Sequence, residues 1–101
     1  MTTENMAEKL KALAHPIRLN IATLLAKQGK DMYLNEIANS LKINRALAKI
    51  HLKKLEFGGI VQSRVVLVEG EAKALRYYSL QQFDIRVSPE LLRKGGGDNK
   101  R

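Results

Sequence analysis

The sequence predicts a mainly α fold closed by one small β-hairpin, and three observations carry that prediction. Apolar residues recur at helical spacing through most of the first 57 residues. Proline and glycine punctuate that stretch so that it divides into four helices. Two runs rich in Val, Leu, Ile and Tyr follow, at 60–68 and 74–80, separated by the turn-like EGEAK.

The first helix spans Asn5 to Ala14, where Met6, Leu10, Leu13 and Ala14 share a face and Glu8, Lys9 and Lys11 fall between them. His15 and Pro16 end it, because proline disfavours helical geometry in the residue before it. The same proline opens the second helix, since its missing N–H is not needed at a first helical position. Ile17, Ile21, Leu24 and Leu25 form the second apolar face, and Gly29 supplies a left-handed stop. After a link through Met32 and Tyr33, LNEIANSLKI sets Leu34, Ile37, Ala38 and Leu41 on one face of a short third helix, with Asn35 as its cap. Asn44 caps a fourth helix that runs to about Phe57 and stops at Gly58 and Gly59.

Two helices joined this tightly form a helix-turn-helix, and the hairpin after them makes the whole a winged helix-turn-helix. Tyr77 and Tyr78 are neighbours in a strand, so one points to the core and the other away from it. Pro89 to Lys94 reads as a last short helix. Residues 1–94 are expected to form one domain and GGGDNKR, residues 95–101, a disordered basic tail.

The formal charge of +8, from 18 Lys and Arg against 10 Asp and Glu, favours a polyanionic partner. No apolar stretch approaches the roughly 20 residues that span a bilayer, and the start MTTENMAEKL lacks the order of a signal peptide, so a cytoplasmic protein is expected. The absence of cysteine excludes disulfides, thiolate metal sites and thiol redox sensing.

The fourth helix carries the chemistry. At about 100° per residue, Ala48, Leu52 and Leu55 fall on one side and Ala46, Lys49, Ile50, Lys53 and Phe57 on the other. Arg45, Lys49 and Lys53 follow each other at i, i+4, i+8 and form a basic stripe. Lys42 and Lys54 extend the charge, and no acidic residue interrupts it between Lys42 and Leu55. A charge run by itself is more often a solvated helix face. Its place after a short helix and before a hairpin is what docking in a DNA major groove requires. Asn44, Arg45, Ala46 and Lys49 are therefore the base-reading candidates, with Ile50 or Ala46 able to meet a thymine methyl and Lys53 and Lys54 able to hold phosphates.

ALAHPIRLNIATLL, EIANSL, HLKKLEFGGIV and RYYSL occur in that order, and together this set resembles ArsR-type winged-helix regulators. Pro16 and Arg18 match the opening of the family's second helix. His51, Leu52, Leu55, Gly59 and Val61 match its recognition helix and the exit into the wing. The resemblance implies a prokaryotic, nucleoid-associated homodimer that binds a partly palindromic DNA operator, often as a repressor. Metal-sensing members carry cysteines on the third helix, where this chain has Tyr33 and Asn35, so a non-metal-sensing member is expected. Many members close the dimer with a long C-terminal helix, which residues 81–94, interrupted by Pro89, are too short to supply. Dimerisation is thus expected through the N-terminal helix.

At the wing, Glu69 and Glu71 would repel phosphates and Lys73 is the cation beside them, while Arg64 and Arg76 on the strands are better placed to approach the DNA backbone. His15 and His51 have no carboxylate cluster around them, so no metal site is expected, and no cofactor. His15 is expected to help end the first helix and His51 to pack at the edge of the core. No nucleophile–base pair, paired carboxylates or phosphate-binding glycine loop is present, which argues against an enzyme. Two other functions fit the composition. One is a protein–protein interaction module that uses Ile50, Phe57 and the acidic wing tip; the other is an architectural binder that does not read sequence.

Overall fold

Capping chemistry decides where the helices begin and end. The structure is a computed structural model and describes residues 2–95. Helix α1 spans Thr3–Leu13, two residues earlier at its start than the apolar spacing suggests, because Thr2 accepts the Asn5 N–H at 3.1 Å and caps it. Helix α2 runs Pro16–Gln28 and stops at Gly29, whose φ of 66° is the left-handed closure expected there. His15 helps end α1, its backbone N–H donating to Leu13 O at 2.8 Å, and it also caps α2, its Nδ1 accepting the Ile17 N–H at 3.1 Å.

Met32–Tyr33, expected as a link, is a short strand, β1. Helix α3, Leu34–Leu41, follows at once. Asn35 is not its cap. That position belongs to Tyr33, whose backbone N–H donates to the Glu36 carboxylate at 3.0 Å. Helix α4, Arg45–Phe57, is capped by Asn44, as the sequence indicates. It closes with Gly59 at φ 77°, Gly59 N–H bonding to Glu56 O at 3.0 Å and Ile60 N–H to Leu55 O at 2.9 Å. This is the Schellman arrangement, in which the residue that must turn left-handed is best glycine.

Strands β2, Val61–Leu67, and β3, Ala74–Leu80, form the hairpin, and β1 adds to the free side of β3, giving an antiparallel sheet of order β1-β3-β2. A two-residue strand carries too little pattern to be read in isolation; the pairing of Met32 with Tyr78 and Tyr33 with Tyr77 creates it. Helix α5, Pro89–Arg93, is capped by Ser88. Gly95 lies just beyond it, and the remainder of the tail, 96–101, lies outside the described residues.

One core joins these elements. Ile21 and Leu25 from α2, Ile37 from α3, Leu52 and Leu55 from α4, and Ile60 and Val61 at the entry to β2 are almost wholly buried. Tyr78 is the tyrosine that turns inward, at 3% exposure, and burial pushes its phenol pKa up. The face of α1 is less covered than its spacing suggests. Ala12 is buried, but Leu10 remains 41% exposed.

The approach of α1 to the end of α4 is close. A Cβ added to Gly58 would lie 2.5 Å from the Ala12 Cβ and 3.1 Å from the Glu8 carbonyl oxygen. Gly58→Ala is expected to cost about 1–3 kcal/mol by overpacking. Ala12→Gly should return part of that loss while itself weakening α1 by about 0.5–1 kcal/mol. A urea-unfolding double-mutant cycle reads the coupling, and strictly additive losses would disprove the clash.

Candidate nucleic-acid interface

Helix α4 presents two chemically different faces. Ala48, His51, Leu52 and Leu55 are buried against the core, whereas Arg45, Ala46, Lys49, Ile50, Lys53, Lys54 and Phe57 are exposed. The amphipathic projection therefore holds in three dimensions, and a strip of cations lies along the open side. Asn44 is engaged in the cap: its Oδ1 accepts the Leu47 N–H at 2.7 Å, so only the amide nitrogen of that side chain is not committed to the helix start. Arg45 donates from Nε to Asn35 Oδ1 at 2.9 Å, which ties the first turn of α4 to α3.

The helix-turn-helix angle is set by Lys42, Ile43 and Asn44. Lys42 takes a left-handed conformation with φ 56°, and Ile43 N–H closes onto Ala38 O at 3.1 Å. A lysine in that conformation is strained relative to glycine. Ile43 packs against the core and holds the turn down.

The structure does not bring the wing cations together. Arg64 stands opposite Tyr77 and Arg76 opposite Val65, so adjacent rungs place the two arginines on opposite faces of the hairpin. Arg64 pairs with Asp31 at 2.8 Å and lies 5.2 Å from the centre of the Tyr77 ring. Its hydrogen bond, with a smaller contribution from Ser79, holds the Asp31 carboxyl below the usual carboxylate range. Arg76 faces the helix side: it donates to Ser63 Oγ at 2.9 Å, and that hydroxyl donates to Glu56 of α4 at 2.7 Å. Lys73 pairs with Glu71 at 3.3 Å at the wing tip.

Sequence reasoning missed the junction behind α4. Arg18 is 9% exposed, donates from Nε to Ala12 O at 2.6 Å and lies with Nη1 3.1 Å from His51 Nδ1. One side chain thus clasps α1 and α4 from α2. The available signal was positional: Arg18 falls at i−3 and i−7 from Ile21 and Leu25, squarely on the buried face. Beside this junction, Glu8, Ala12, Ile50, Lys53, Phe57 and Gly58 are among the residues lining a groove of about 670 Å³ between α1 and α4.

Residues 15–63, from the cap of α2 through the first part of β2, match the sequence profile of the bacterial regulatory proteins of the arsR family. An uncharacterized HTH-type transcriptional regulator of Methanocaldococcus jannaschii is 37% identical over 84 residues, which are 83% of this chain and 84% of that protein. The chain belongs to the ArsR family. It is a DNA-binding transcription regulator and not an enzyme.

Solved structures of other regulators share its architecture. The homodimeric winged helix-turn-helix DNA-binding domain from Mycobacterium bovis is 32% identical with a TM-score of 0.63, covering 76% of this chain and 64% of that one. The transcriptional repressor PagR of Bacillus anthracis is 30% identical with a TM-score of 0.63, covering 78% and 82% respectively. Among the described residues of this ArsR-family protein, no helix is long and apolar enough to cross a membrane, and no three His, Asp or Glu side chains group as metal ligands would.

Proposed function

We propose that this ArsR-family protein is a homodimeric repressor that reads a specific operator with the exposed face of α4. The carrying observation is the acid-free cationic strip of Arg45, Lys49, Lys53 and Lys54, all exposed on a helix whose opposite face is locked into the core. Asn44, Arg45, Ala46 and Lys49, near the helix start, meet base edges in the major groove. Lys53 and Lys54 lie further along and neutralise phosphates, joined from the wing by Arg64, Lys73 and Arg76. The repressor role rests on the likeness to PagR. The protein acts in the cytoplasm, on nucleoid DNA.

A second copy covers α1 and the groove beside it. Leu10 at 41%, Ile50 at 53% and Phe57 at 85% exposure leave apolar surface that a monomer gains nothing by showing to water. Ile50 lines the groove beside Phe57 and is part of the apolar surface there that a second copy would cover. The homodimeric relative from Mycobacterium bovis supports this assembly.

Titrating the protein into its own upstream DNA and into a scrambled duplex of equal length, at two salt concentrations, tests the reading. Tighter, salt-sensitive binding to the upstream DNA is expected. Equal affinity for both would favour architectural binding, and no binding would favour a protein partner on the Ile50 and Phe57 surface. Lys53→Ala should weaken binding to every duplex and reduce the salt slope by about one phosphate contact. Arg45→Ala should lose about 1–3 kcal/mol of base discrimination. Identical behaviour of the two variants on specific and random DNA would show that these roles are misassigned.

A further inference from the structure

Two histidine rings and one guanidinium meet where α1, α2 and α4 converge. A guanidinium can only donate, so with Arg18 Nη1 3.1 Å from His51 Nδ1, that ring nitrogen accepts and carries no proton. His15 is held under the same condition, because its Nδ1 accepts the Ile17 N–H that caps α2. Both neutral rings therefore carry their proton on Nε2. They lie 4.4 Å apart between centroids, tilted by 41°. Arg18 also donates to the carbonyl oxygens of Ala12 and Lys11, so the side chain that engages His51 holds the end of α1 as well.

The charges around this junction are mostly positive. Arg18 faces it from α2, Lys54 from α4, and Lys11 with Glu8 from α1 along the adjoining groove. Among the described residues no ion pair joins a carboxylate to either histidine. Arg18 and Lys54 therefore oppose an added proton at His51.

We propose that this junction is an acid-sensitive latch: protonation of His51 breaks the Arg18–His51 bond, loosens α4 from α1 and α2, and releases DNA. A proton on His51 Nδ1 turns an acceptor into a donor facing another donor, in a site that is 7% exposed at the histidine.

Burial, aided by the charges of His15, Arg18 and Lys54, lowers the His51 pKa below the ordinary 6.5. The folded state thus resists a proton that the opened state takes at the ordinary value. This contribution to stability is present well above pH 6.5 and is lost as pH falls from there through the lowered pKa. The sign matters, since added positive charge alone would tighten binding to DNA.

The test follows affinity for a short fluorescent random-sequence duplex, and the melting temperature without DNA, from about pH 8 to about pH 5 at constant ionic strength. His15→Asn keeps a capping oxygen, and His51→Gln keeps an acceptor for Arg18, but neither titrates. The wild type is expected to lose affinity on acidification, with a parallel fall in melting temperature. The double variant should stay flat or bind more tightly. Wild-type binding that tightens in acid, or wild-type and variant melting profiles that superimpose, would overturn the latch. If the double variant does not fold, His51→Gln alone and the NMR titration of the His51 ring in the wild type decide. Amide shifts in α1 and α4 that follow the His51 titration support the latch; a His51 titration without those shifts refutes it.

Discussion

Leu52→Ala is expected to cost about 2–5 kcal/mol of folding stability. Leu52 is fully buried on the face of the helix opposite the cationic strip, within the same core cluster as Ile21, Leu25, Ile37 and Ile60. These neighbours come from α2, α3 and the entry to β2, so no one of them can slide to fill the hole without disturbing another element. A domain of this size is stabilised by only about 5–15 kcal/mol, so the variant sits near the edge of folding. Urea unfolding should show a lower midpoint with an unchanged slope. Lys49→Ala on the opposite face should stay within about 0.5 kcal/mol of the wild type. A loss below about 1 kcal/mol for Leu52→Ala would mean that α4 is not anchored by this face.

Arg18→Met is the second large effect, with an expected loss of about 2–4 kcal/mol. Methionine approximates the stem of the side chain but supplies no donor. The Ala12 carbonyl and His51 Nδ1, now partnered at 2.6 and 3.1 Å, would be left without one in a buried position. The expected consequence reaches beyond stability, because α1 loses one of its ties to α4 and the surface assigned to the dimer loses part of its support. Analytical ultracentrifugation together with urea unfolding checks both. A variant as stable and as dimeric as the wild type would show that Arg18 fills space and nothing more.

Most of the fold was legible in the residues themselves. Pro16, Gly29, Asn44 and Gly59 act through local geometry, so the helix boundaries they set could be read without knowing what lies nearby. The outward strip on α4 was legible for a related reason. A helical period and a charge pattern place Arg45, Lys49 and Lys53 on one face whatever the tertiary context.

The missed features depend on partners distant in sequence. His15 ends one helix, as expected, and in addition caps the next, because a ring nitrogen reaches forward to Ile17 once the chain turns at Pro16. Arg64 and Arg76 looked equivalent until strand register put them on opposite faces, one held by Asp31 and Tyr77, the other by Ser63.

The sequence by itself determined the order of helices and hairpin, the winged helix-turn-helix class and the cationic face of α4, because these follow from period, caps and local charge. Only the tertiary structure decided that Met32 and Tyr33 form a strand, that Arg18 joins three helices through His51 and Ala12, and that Phe57 stays open beside α1. Those outcomes rest on hydrogen bonds and packing between segments far apart in the chain, and neither helical periodicity nor residue propensity carries information about which segments meet.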